Sequence, residues 1–328
     1  MTRRRGLLLL TGVLVVAVTL AVLVGETPLV PGDYLKAVTL PGSAPGEILW
    51  TIRAPRAVLA ALIGGALGLS GAALQGLLRN PLADPGVLGV SASAGLGAGV
   101  AIALGLAAIP GAIELSALAG ALVAGALVVV LAARFREPET LILLGVSISA
   151  FAGALSSLVY NLSPSPVTTA EVLSWMLGSV ANRDWPDVVT TAIPAAIGAL
   201  LVAWSARGLT MLTLGEETAA LSGLPMARLR AAAVGGAALL AGAAVAAAGV
   251  IGFVGLAAPH LVRRFAGDDP GKTLLPSALA GAGLLVLADL AARVIATEQE
   301  LKLGVVTALF GAPVFALVAW RAARSWRS

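Results

Sequence analysis

The stretch GFVGLAAPHLVRRFAGDD, residues 252–269, carries the chain's single histidine, His260, followed by Arg263, Arg264, Asp268 and Asp269. An imidazole among charges suits proton transfer, heme ligation or metal binding. No second ligand or acid stands within the same motif, however, and Pro259 directly before the histidine shapes the start of a short helix. The residue types therefore assign His260 to packing and hydrogen bonding, and Pro259, His260 and Arg263 together to a structural signature. Cysteine is absent, which removes thiolate nucleophiles, disulfides and cysteine metal sites. No metal ligand set is expected.

Other residues with chemical potential are arginines and carboxylates. Arg53 and Arg56 lie three apart around Pro55, whose ring fixes the local backbone. Asp289 precedes Arg293 by four residues, the spacing that puts both on one helix face. A carboxylate within a membrane segment invites a proton-relay reading, but the arginine one turn on makes a structural ion pair the better one. In GEETAALSGLP, residues 215–225, Glu216 and Glu217 suit the positive end of a helix dipole, and Gly223 and Pro225 stop the helix. No G-x-x-x-x-G-K-[ST] loop occurs, so the chain has no phosphate cradle of that kind for ATP. No cofactor is expected on it.

The elements that hold these residues are set by composition. Hydrophobic residues are 59% of the 328, charged residues 12%, and the mean hydropathy is +0.98. That is an integral membrane protein, not a soluble domain. The net charge of +4 does not indicate nucleic acid, because the basic residues sit between apolar spans without serial aromatic partners. Apolar runs fall at 7–24, 55–78, 87–107, 112–133, 140–161, 187–206, 229–250, 253–265, 274–295 and 304–320, most near the length a bilayer requires. The eighth is short and interrupted by Pro and Gly. With it the count is about ten, and both termini share one side.

With Arg3, Arg4 and Arg5 inside, 15 of the 21 Lys and Arg residues are inner. The outer side keeps Lys36, Arg53, Arg56, Arg183, Arg293 and Lys302. That bias fixes the orientation and supports the tenth crossing. The basic start resembles a signal peptide, but no convincing small-residue cleavage site follows near Gly25, and the first run reads as a retained helix. Glycine, 39 residues, clusters within the spans at 63–76, 91–99 and 234–249, where small residues let helices approach closely. LSGAAL (69–74) and LAGAAV (240–245) hint weakly at an internal repeat.

Between the spans stand RAPR (53–56), RNPLADPGVLG (79–89), WMLGS (175–179), LTLGEETAALSGLP (212–225), GFVGLAAPHLVRR (252–264), LADLAAR (287–293) and GVVTALFGAPVF (304–315). In this order, over nearly the whole chain, they resemble the permease subunit of FecCD-type ABC importers for iron chelates and cobalamin. Two departures stand out: Lys302 where such permeases usually have Pro, and Ser222 where Leu is usual. The resemblance implies an all-α, type II ABC importer permease fold, one domain over 1–328, with a cytoplasmic coupling loop at about 207–228. It implies a homodimer in a bacterial or archaeal cytoplasmic membrane, with both termini cytoplasmic. Two ATPase subunits, carrying ATP and Mg, would bind inside, and one soluble or lipid-anchored binding protein outside.

The same resemblance assigns Arg53, Arg56 and Arg293 to binding-protein docking, where Arg suits bidentate carboxylate recognition. It assigns Gly215, Glu216, Glu217, Ala219, Leu221 and Gly223 to ATPase coupling. Asn80, Leu82 and Glu139 fall to a cytoplasmic gate, and Asp289 joins the structural signature. The resemblance implies a bulky chelate as cargo, with a ferric siderophore favoured as the broadest class in the family and heme and cobalamin as the alternatives. Two other classes compete. An ion-coupled carrier needs intramembrane carboxylates, and only Asp289 qualifies. A membrane-embedded hydrolase needs Ser with His, or paired acids facing a cavity, and the lone His260 argues against it.

Overall fold

The computed structural model describes residues 3–132, 138–163, 165–295 and 301–313. Among them no strand occurs. In chain order the helices are α1 (Arg3–Leu23), α2 (Pro31–Thr39), α3 (Ala44–Glu47), α4 (Ala54–Leu78), α5 (Val90–Ala103), α6 (Ala112–Ala132) and α7 (Pro138–Asn161). There follow α8 (Pro166–Met176), α9 (Trp185–Met211), α10 (Glu216–Leu221), α11 (Met226–Ala248), α12 (Val254–Ala266), α13 (Pro270–Val294) and α14 (Leu303–Pro313). A π-helical turn, Ile48–Arg53, makes α3 and α4 continuous.

Each of the ten expected spans coincides with a helix over its described residues; 314–320 of the tenth lie outside them. Seven stretches among the described residues are long and apolar enough to cross a membrane: α1, α3 with α4, α6, α7, α9, α11 and α13. α5 and α14 are shorter apolar helices, and α12 is a 13-residue helix with Pro259 inside it. The eighth span is thus a helix, but a 13-residue one, shorter than a bilayer crossing requires. After α11 the chain turns at Gly249, φ +72°, where a side chain would strike the Trp175 carbonyl. It runs without helix to Phe253, itself left-handed at φ +67°, before α12 begins.

Non-helical backbone inside a bilayer is tolerated only where protein satisfies it. Here three such segments satisfy one another. Ser179 N donates to Ala248 O at 2.9 Å, Leu303 N to Gly178 O at 2.8 Å, and Gly304 N to Leu177 O at 3.1 Å.

α4 and α11 form the centre: 72% and 78% of their apolar windows are buried, against 17% for α1 and α7. An apolar helix gains nothing from water exclusion in lipid, so close backbone packing must hold the centre. Gly64, Gly68 and Gly71 line the face of α4 toward α13 and α12. A methyl group there would collide with the carbonyls of Gly281, Ser277 and Gly255 respectively. α13 begins with Asp269 as its cap, accepting from Gly271 N at 3.0 Å, and Pro270 at its first position, where the missing N–H costs nothing.

Candidate coupling loop, gate turn and outer arginine network

At the predicted inner end α9 runs into a 3-10 turn, Leu212–Leu214, and then Gly215. Gly215 has φ +98° and Gly223 φ +83°, so both chain reversals around α10 use conformations that a side chain disfavours. Leu212 and Ala219 are buried and anchor the loop, whereas Leu214 is 69% and Leu221 84% exposed. Glu217 is exposed, whereas Glu216 is paired within the chain: both its oxygens accept from Arg230 Nη2 of α11, at 3.0 and 2.8 Å. A first-turn carboxylate facing the next helix finds its cation within the chain. Ser222 ends α10, donating its hydroxyl to Thr218 O at 2.8 Å.

The turn between α4 and α5 lies against α12. Asn80 Oδ1 accepts from Leu82 N at 2.9 Å, a local Asx turn, and leaves Leu82 44% exposed. Asp84 caps the short turn Pro85–Leu88 by accepting from Gly86 N at 2.8 Å. Burial pushes its carboxyl up from 3.8 to about 6, more than the Gly86 bond pulls it down. His260 Nε2 meets Pro81 O at 3.1 Å. A carbonyl only accepts, so the imidazole donates through Nε2. Arg263 Nη2 donates to Gln75 Oε1 at 3.2 Å. His260 and Arg263 therefore stitch α12 to the turn and to α4, as hydrogen-bonding side chains. Glu139 belongs to the first turn of α7, and its side chain lies outside the described residues.

The three outer arginines converge, but inward. Arg56 grips Asp289, Nη2 to Oδ1 at 2.9 Å and Nε to Oδ1 at 3.0 Å. Arg293 Nη2 holds the other oxygen at 2.8 Å, while its Nη1 donates to Ala21 O at 3.0 Å. Arg53 donates to Leu23 O at 2.6 Å and to Thr27 O. Arg53 and Arg293 are 5% and 7% exposed, and Arg56 keeps 11% of its side chain exposed. The guanidinium groups that the resemblance assigns to docking thus rest on Asp289 and on backbone carbonyls of the chain itself. The carbonyls at the end of α1 have no helical donors of their own, and the arginines supply them. The Asp289–Arg293 pair stands as spacing indicated.

Sequence reasoning missed a second tie on this end. Arg183 Nη1 reaches Glu114 at 3.0 Å and Asp187 at 3.3 Å, joining α6 to α9. Trp185 Nε1 donates to Trp50 O at 2.9 Å and Tyr34 to Leu23 O at 2.8 Å. Trp and Tyr at one level are the signal that marks a membrane boundary.

A multi-pass helical bundle with a polar loop helix at one end and an arginine-clamped mouth at the other has the build of a membrane permease subunit. The sequence model of the FecCD transport family matches residues 13–321, and the chain belongs to that family, the permease subunits of ABC importers of the metal-chelate and cobalamin type. It is 43% identical over 291 residues to the ABC transporter permease protein YvrB of Bacillus subtilis, covering 86% of this chain and 81% of that one. It is 39% identical over 325 residues to the vitamin B12 import system permease protein BtuC of Salmonella typhimurium, 98% of this chain and 96% of that one. Among solved structures it resembles a metal-chelate type ABC transporter in an inward-facing conformation, with TM-score 0.84, 29% identity, and 97% and 99% of the two chains covered.

Proposed function

We propose that two copies of this chain form the membrane channel of an importer, with ATP and Mg held on two ATPase subunits at the α10 end and one binding protein at the opposite mouth. Both termini then lie in the cytoplasm. The observation that carries this reading is α10: Leu221 at its end is 84% exposed, yet it sits on a polar loop outside the spans. Apolar surface in water marks a protein contact. Asn80, Leu82 and Glu139 belong to the gate in this reading. Arg53, Arg56 and Arg293 serve docking by holding the ends of α1, α4 and α13 as one platform.

The cargo is a bulky metal chelate. Near-full-length similarity to a vitamin B12 permease favours a corrinoid over the ferric siderophore that the motifs alone suggested, and the siderophore is the second reading. The test joins the chain to its ATPase and binding protein in liposomes. Leu221→Asp is expected to lower ATPase association at least tenfold while the protein's melting temperature holds. Undiminished association removes α10 from the contact. Uptake of labelled cobalamin against a labelled ferric siderophore decides the cargo.

A further inference from the structure

A cavity of about 660 Å³ lies between α12, α13 and α14. Its wall is apolar over most of its length, with Phe253, Leu256 and Leu261 on one side and Leu287 and Phe310 facing them. The polar groups on it are few. His260 is committed to the Pro81 carbonyl, and Thr307 donates to Gly304 O at 3.1 Å. Arg264 differs: it lines the cavity, is exposed, and is paired with no carboxylate among the described residues.

Arg264 occupies the last turn of α12, where the beginnings of α1 and α13 meet. Gly6 packs on Phe265, and Arg3 Nη2 donates to Lys272 O at 3.4 Å. Arg3, Arg4 and Arg5 are exposed at the start of α1, while Lys272 is paired with Asp269 at 2.9 Å. An apolar slot in the membrane bundle thus ends at a guanidinium unpaired among the described residues, on the end of the bundle where the arginines of α1 also lie. We infer that the slot is a binding site for one anionic phospholipid, its acyl chain between α12, α13 and α14 and its phosphate on Arg264. Charge selects this occupant. Basic residues at a membrane surface attract anionic headgroups, and a phosphate on Arg264 with an acyl chain in the slot matches both the charge and the apolar wall.

Native mass spectrometry of the full-length chain tests the site, with added phosphatidylglycerol or phosphatidylcholine of identical acyl chains. One phosphatidylglycerol is expected to be retained in preference to phosphatidylcholine. Arg264→Gln should reduce its retention roughly fivefold, the factor for one basic residue near an anionic surface, and leave phosphatidylcholine unchanged. Ala257→Phe, which narrows the slot, should lower both. Equal retention of the two lipids overturns the proposal, as does indifference to Arg264→Gln. If Ala257→Phe instead splits a dimer and spares lipid retention, the occupant is a second copy and the proposal falls. Because retention is read without transport, failure here leaves the importer reading untouched.

Discussion

Asp289 accepts from Arg56 of α4 and Arg293 of its own helix, with 2% of its side chain exposed. Asp289→Asn leaves two guanidinium groups without their counter-charge, and breaking a buried pair in this way costs roughly 3–5 kcal/mol. Thermal unfolding in detergent should show a large drop in melting temperature; a value equal to the parent's makes the network dispensable. Asp84 titrates differently. Its folded value, about 6, lies above 3.8, so the linked stability is fully present below pH 3.8 and is lost as pH rises through about 6. Asp84→Asn should therefore stabilise the protein at about pH 7.5, by on the order of 2 kcal/mol, and the gain should shrink toward about pH 4.5. A pH-independent difference excludes the shift. His260→Gln keeps a donor for Pro81 O, and transport should persist. At this scale spacing revealed Asp289 with Arg293, but Arg56 joins them from 233 residues away, which no local pattern encodes. Loop charge likewise grouped Arg53 at one end with Arg56 and Arg293, without indicating that it would fold back onto the carbonyls of α1.

The helices behind the ten apolar runs were legible because lipid allows so few solutions: an apolar run near 20 residues long must be a helix or stay out. The interruptions of the eighth run were visible as Gly255 and Pro259, both of which fall inside the short α12; the left-handed turns at Gly249 and Phe253 that precede it were not. The π-helical turn at Ile48–Arg53 and the small helices α2, α3 and α8 left no comparable mark, since nothing in propensity separates them from loop. The glycine clusters indicated close packing without saying against what. α4 answers with Gly64 and Gly68 against α13, so Gly68→Leu should cost at least 1–3 kcal/mol through overpacking. Gly12 in α1, with nothing within 4 Å of an added Cβ, should accept Ala within about 0.5 kcal/mol. Paired melting curves of the two variants check the contrast, and equal losses would remove the packing account.

For the whole molecule, the placement of 15 basic residues on one side sets the proposed orientation, and the partners follow from what the chain lacks and exposes. Purified alone it should hydrolyse no ATP, having no phosphate-binding loop of the G-x-x-x-x-G-K-[ST] type; turnover above buffer in a chain freed of ATPase would defeat the division of labour. Assembly in time is set by another feature. The carbonyls of Leu177 and Gly178 receive their donors from Gly304 and Leu303, more than 120 residues further along. While the ribosome is still making α9 to α13, those carbonyls wait in an apolar setting at about 1–3 kcal/mol each. The bundle is therefore latched by its last helix. Nascent chains stopped before Leu303 should insert but remain open to membrane proteases, and pulse-chase half-lives of chains ending at 302 and 313 would show the latch closing.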